Sequence, residues 1–323
     1  MDKRSYFARR IMYAAIAILA VAAFNFFLFR ILPGDPARLL IPREAYDLPS
    51  VEQFRQAFHL DRPLYSQFAH FLIDTPRLRL GLSFAQKRPV TEVIAERIWP
   101  TLLLAGVGEV LAISIGLALG ILAGWRRGRR FDVVTTTVGM TLYAMPVFWI
   151  GLNLIIIFAV KLQWLPVGGM AEQGVVYTNW VAQVWDTLKH LALPALTWTL
   201  VYFGYYYLIM RSSLVAVARD DYVLTARAKG LSESRVLLRH VVRNALLPTA
   251  TVVMLNLGFV IAGSILVETV FNWPGMGLLT YQSIAARDYP VMQAVFLLSA
   301  VAVIVFNLVA DIMYCYLDPR VKA

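Results

Sequence analysis

Five uncharged apolar runs constrain this chain more than any other feature: Ile11 to Phe29, Val133 to Val160, Leu191 to Met210, Asn244 to Val267 and Tyr289 to Ala310. Each approaches or exceeds the roughly 20 residues that a helix needs to cross a bilayer. A sixth run, Ile98 to Gly124, is interrupted only by Glu109. Hydrocarbon offers the backbone no partners, so only helices and closed barrels span it. These runs are unbroken rather than alternating, which argues against a barrel. Composition agrees, with 59% hydrophobic residues against roughly 45–50% apolar in soluble domains. The expected fold is an all-α membrane protein with six transmembrane helices.

A net charge of +10 raises the question of nucleic acid, but its distribution points to the membrane instead. Lys3, Arg4, Arg9 and Arg10 precede the first run, and Arg126, Arg127, Arg129 and Arg130 follow the second. Further Lys and Arg lie between Arg211 and Arg243, and Arg320 and Lys322 end the chain. The short loops 161–190 and 271–288 carry only Lys161, Lys189 and Arg287. The positive-inside bias puts both termini in the cytoplasm and predicts no nucleic-acid partner. The first run is too long for a signal-peptide core and lacks a small-residue cleavage site, so it reads as a retained anchor. Cys315, the single cysteine, permits no intrachain disulfide.

Residues 1–30 form the amino-terminal segment and first span. After it, Pro33-Gly34-Asp35-Pro36 stops helical structure. Residues 31–97 read as a small helical extracytoplasmic insert: Ser50-Val51-Glu52-Gln53 has capping-box spacing, with Phe54 and Phe58 on one helix face. A second helix over about Pro63 to Asp74 brings Phe68, Phe71 and Leu72 to one side. The insert serves either as a spacer or as a contact for an outer partner. The core, 98–323, holds five helices and a cytoplasmic coupling segment at 219–243.

Gly116, Gly120 and Gly124 form a small-xxx-small ladder suited to close helix packing. Glu109, an ionisable group at lipid depth, serves either in pathway lining or in an interhelical hydrogen bond. Glu268 and Asp311 read as interfacial. Trp198, Tyr202, Tyr205, Tyr206 and Tyr207 in the fourth span suit packing, an aromatic belt or a passage, with Tyr202 and Tyr206 joining Glu109 as pathway candidates. Trp180, Val184 and Leu188, with Val181 and Trp185, form an amphipathic stripe. Phe271-Asn272-Trp273-Pro274-Gly275-Met276-Gly277 reads as a re-entrant or interfacial turn.

The basic stretch Asp220 to Pro248 reads as two short helices with a break. Asp220 or Asp221 caps the first, Gly230 ends it in a left-handed conformation, and Ser232 caps the second. Tyr222, Val223, Ala226 and Ala228 leave a small-sided surface for another protein, while Arg227 and Lys229 sit at the helix's carboxyl end.

The wording Thr225-Ala226-Arg227-Ala228-Lys229-Gly230-Leu231 resembles the cytoplasmic loop of binding-protein-dependent ABC permeases, in particular their dipeptide and oligopeptide branch. The likeness extends to Leu32-Pro33-Gly34-Asp35-Pro36-Ala37, His59-Leu60-Asp61-Arg62-Pro63-Leu64, Glu268-Thr269-Val270-Phe271 with Pro274-Gly275-Met276-Gly277, and Asp318-Pro319-Arg320. Leu224 departs from that motif at its Glu position, and Arg243 stands where many members have a proline. The resemblance implies a multi-pass subunit of the prokaryotic inner membrane and an ATP-driven importer of di- or oligopeptides. It implies a second homologous permease, two ATPase subunits carrying ATP and Mg, and an extracytoplasmic peptide-binding protein. It also implies a coupling helix including Asp221, Tyr222, Thr225, Ala226, Arg227, Ala228, Lys229 and Gly230.

The chain has no G-x-x-x-x-G-K-[ST] phosphate loop, so no nucleotide cofactor is expected on it. It also lacks H-E-x-x-H, G-x-S-x-G and paired-Cys patterns, which predicts neither catalytic nor metal-binding residues. The alternatives are an ion-coupled secondary transporter or channel using Glu109, and a scaffold that recruits partners without solute flux.

Overall fold

The computed structural model of the chain describes residues 3–31, 63–177 and 179–317. Among them run helices α1 (Lys3–Ile31), α2 (Leu64–Asp74), α3 (Val90–Trp125), α4 (Arg130–Ala144), α5 (Val147–Lys161) and α6 (Trp180–Val217). Helices α7 (Asp221–Ala228), α8 (Glu233–Val260), α9 (Ile265–Val270), α10 (Met276–Ala286) and α11 (Tyr289–Leu317) follow. No strand forms among the described residues; Leu82 and Pro89 make one isolated antiparallel bridge. The Leu32 to Ala37 turn, the Ser50 to Gln53 capping spacing, Phe54 and Phe58, the stretch His59 to Arg62 and the terminal Asp318-Pro319-Arg320 lie outside the described residues.

Helices α1, α3, α6, α8 and α11 are each long and apolar enough to span a membrane. The third expected span is not straight, because α4 and α5 meet at 102°. Proline restricts the residue before it to extended backbone. Met145 accordingly takes ψ 142° ahead of Pro146, and α5 starts afresh after that proline. The bent pair nevertheless carries the chain across. Going along α3, Gly108, Gly116, Gly120 and Gly124 meet Trp198, Tyr206, Met210 and Leu214 of α6 in rising order, so the two helices run parallel. A connection from the end of one parallel helix to the start of the next has to traverse their full length, which makes six crossings.

The α3–α6 seam is a close backbone approach along several turns. A Cβ at Gly116 would stand 2.7 Å from the Cβ of Tyr206, and one at Gly120 2.9 Å from the Cβ of Met210. Absent side chains let the backbones meet, and in lipid that van der Waals contact is a main source of helix association. Around the seam Leu104, Leu193, Trp198, Val267, Phe271 and Trp273 form the main buried cluster.

Helix α1 packs antiparallel on α11: Arg10 pairs with Asp311 at 2.9 Å near one end, and Asn25 Nδ2 donates to the Gln293 carbonyl at 3.3 Å near the other. Phe68 and Phe71 of α2 close on Phe26 of α1 with ring centroids 5.3 and 5.5 Å apart, the face expected of that helix. Helix α3 begins at Val90, about two turns ahead of its apolar run, because Val90, Val93 and Ile94 pack on Met276, Leu279 and Val291.

The fifth span also differs from its apolar run. It starts at Glu233, passes through a π-helical stretch at Val236–Val242 and ends at Val260 rather than Val267. Gly263 then turns the chain with φ +70°, a left-handed conformation that glycine adopts without steric cost. The chain then turns through α9 and α10, with the expected turn at Phe271 to Gly275 between them. Glu268 there is fully buried. Its Oε2 accepts from the Leu278 N–H at 2.9 Å and its Oε1 from Thr101 Oγ1 at 3.1 Å, while Thr101 Oγ1 accepts from the Met276 N–H at 2.6 Å. The carboxylate thus satisfies orphan donors at the start of α10 and ties them to α3. Trp273 adds a bond from Nε1 to the Pro100 carbonyl at 2.8 Å.

Candidate functional site

Halfway along α3, Glu109 turns toward α6 and α8 and is 4% exposed. Its Oε2 accepts from Trp198 Nε1 at 3.0 Å, and its Oε1 accepts from the Tyr206 hydroxyl. Asn256 of α8 donates to the same hydroxyl at 3.2 Å. The carboxylate thereby joins α3 to α6, and the Tyr206 hydroxyl brings in α8. Glu109 thus makes the interhelical bonds of one reading, and the same group lines a cavity of about 410 Å³. Tyr202, Tyr205 and Tyr143 complete its aromatic wall, and Phe259 and Gly263 bound it from α8 and the turn beyond. The volume falls in the ordinary range for small-molecule sites.

Glu109, Tyr202 and Tyr206 are therefore brought together, as are Trp198 and Tyr205. Tyr207 points elsewhere: its hydroxyl meets Thr135 Oγ1 at 3.0 Å and Thr136 Oγ1 at 2.7 Å. Asn256 escaped notice in the sequence although it is an amide in an otherwise apolar stretch, a pattern that signals interhelical bonding.

At the end of the bundle where α3 passes to α4, Arg211 of α6 grips Asp132 of α4 with bonds of 2.5 and 2.8 Å. Asp132 is nearly fully buried. The pair holds the first turn of α4 against the last turns of α6. Sequence reading passed over Asp132 among the arginines around it; an acid within a basic loop was the available signal.

Beyond Arg211 the chain enters α7. Val223 and Ala226 are buried against Met210, Leu214, Val236 and Val241. The expected small-sided surface of Tyr222, Val223, Ala226 and Ala228 is corrected accordingly: residues spaced three apart on one helix stripe turn inward to the chain's own core. The outward side carries Asp221, Tyr222, Leu224, Thr225, Arg227, Ala228, Lys229 and Gly230. Arg227 pairs with Glu233 of α8 at 3.1 Å and lies over the Trp125 ring of α3 at 5.3 Å. Asn244 Nδ2 of α8 donates to the Tyr222 hydroxyl at 2.9 Å. Gly230 ends the helix with φ +75°, as its position predicts. Asp220 and Ser232 occupy the cap positions without making side-chain cap bonds. Helix α7 is thus seated on the last turns of α6 and the first turns of α8, the two helices that carry the cavity wall.

Residues 116–323 match the family model of the binding-protein-dependent transport system inner membrane component, and residues 4–105 match the amino-terminal model for such membrane components. The chain belongs to this family. The "Glutathione transport system permease protein GsiC" of Escherichia coli strain K12 is 39% identical over 318 residues, covering 98% of this chain and 99% of that protein. The proteins of the same name from Pectobacterium atrosepticum and Shigella flexneri serotype 5b are 40% and 39% identical, with the same coverage. The chain is an ABC permease of the peptide-type branch and a multi-pass inner-membrane protein, a transport component rather than an enzyme. Such a permease works with ATPase and solute-binding partners. An ion-coupled mechanism centred on Glu109 is not favoured by this membership.

Proposed function

We propose that this chain forms one half of the translocation pathway of an ATP-driven importer of short peptides, a class that includes glutathione. A second, homologous permease completes the pathway, two ATPase subunits dock on the α7 side, and an extracytoplasmic binding protein delivers the solute. ATP and Mg belong to the ATPases. The face bearing Arg126 to Arg130, α7 and both termini is cytoplasmic, in line with its positive charge.

One observation carries this reading: α7 is fastened to both α6 and α8, and those helices bear Trp198, Tyr202, Tyr206 and Asn256 of the cavity. A force applied to α7 by closing ATPases reaches the cavity wall through two continuous helices and no flexible linker. Rigid elements with discrete arrangements are the physical carriers of such coupling. The glutathione permeases at 39–40% identity support a small peptide as cargo.

The test is uptake of trialanine and of glutathione into proteoliposomes holding the assembled transporter. Uptake that requires ATP and the binding protein is the expected result. Uptake that survives ATP depletion and collapses with an ion gradient contradicts it, and ATPase binding without flux favours the scaffold.

A further inference from the structure

We propose that the Glu109 cavity is a seat for a primary ammonium group, so that the cargo this permease passes most readily carries a free amine. The inference rests on the cavity being part of the pathway, and it names the chemistry read there.

Glu109 is a buried carboxylate with no ionic partner among the described residues. Its two bonds come from neutral donors, an indole N–H and a phenol. A carboxylate has about four lone-pair sites, so these two bonds leave acceptor capacity unused. At lipid depth an acidic side chain is costly and normally finds a partner or a water-filled cavity. Here the cavity supplies that opening, and most of its remaining wall is aromatic, with Asn256, Val260, Ala262 and Gly263 making up the rest.

Trp198 and Tyr202 lie with ring centroids 5.2 Å apart, and Tyr143 and Tyr205 stack at 6.1 Å. Ring faces attract a cation within about 6 Å. A group with positive charge and several N–H donors satisfies both features at once, donating bonds to Glu109 and resting against the rings. A primary ammonium has three such donors. A quaternary ammonium lacks the donors, and an anionic group is repelled by Glu109. Peptides with free amino termini meet the requirement, whereas neutral sugars do not.

The test uses the assembled transporter in nanodiscs without its binding protein, labelled with 5-fluorotryptophan. The Trp198 fluorine resonance is assigned through Trp198→Phe. Trialanine should shift this resonance saturably, and N-acetyl-trialanine should bind at least about tenfold more weakly, as expected for loss of one charge-assisted interaction. Glu109→Gln should abolish that preference. Tyr202→Leu, which leaves both bonds to Glu109 in place, should weaken trialanine alone.

Equal responses to the two peptides, absence of any trialanine shift, or a preference that survives Glu109→Gln each overturn the proposal. Uptake by the same variants separates it from the pathway reading. A lost preference with maximal uptake unchanged leaves the ammonium seat standing and removes the cavity from the pathway.

Discussion

Thr101 shows how much a single hydroxyl holds in this fold. It gives its hydrogen to Glu268 and receives the Met276 N–H, so it closes the chain of bonds that seats α10 on α3. Thr101→Val keeps the shape and strands a buried N–H, which costs about 1–3 kcal/mol. The expected result is a lower unfolding temperature in the purified protein, with Thr101→Ser near wild type. Arg211→Met is the stronger lesion, because it leaves the Asp132 carboxylate buried without its cation, at about 3–5 kcal/mol. Adding Asp132→Asn should recover much of that loss, and a thermal-shift comparison of single and double variants checks it. The sequence shows Glu268 and Asp132 as acids in unusual surroundings but not what answers them, because the partners lie 167 and 79 residues away.

Among the helices, the α3–α6 seam was the most legible, because glycines four apart leave a visible stripe. Gly120→Leu should force the seam open: Met210 and the Tyr207 carbonyl leave no room for a side chain, and overpacking costs typically about 1–3 kcal/mol. Gly106→Ala is the control, since nothing stands within 4 Å of the added carbon. Reduced recovery of folded Gly120→Leu beside normal Gly106→Ala is the expected outcome in a detergent size-exclusion assay. The apolar runs revealed that six crossings exist but not their form. Hydropathy reports where a helix meets lipid and is blind to the bend at Pro146 or the stop at Val260. Those depend on backbone geometry and on what packs behind it. The inward turn of Ala226 was hidden for a related reason, since small residues suit an outer docking surface and an inner seam equally well.

At the scale of the whole molecule, the bundle links two distant places with one mechanical unit. The cavity lies near the middle of α3, and α7 lies beyond its Trp125 end, with α6 and α8 running from one to the other. The order of the chain explains why so short a segment matters: α7 is the connection between those two helices. Gly230 is its most sensitive point. Its φ of +75° costs an L-residue about 1–2 kcal/mol, while the space around it is open. A large side chain there is accommodated by this chain and obstructs whatever docks outside it. The direct measurement is the ratio of peptide taken up to ATP hydrolysed in proteoliposomes holding Gly230→Trp in the assembled transporter. Coupling through α7 requires that ratio to fall severalfold with the folded complex retained and hydrolysis continuing, and Gly230→Asn to stay near wild type. A Gly230→Trp transporter with the wild-type ratio contradicts it.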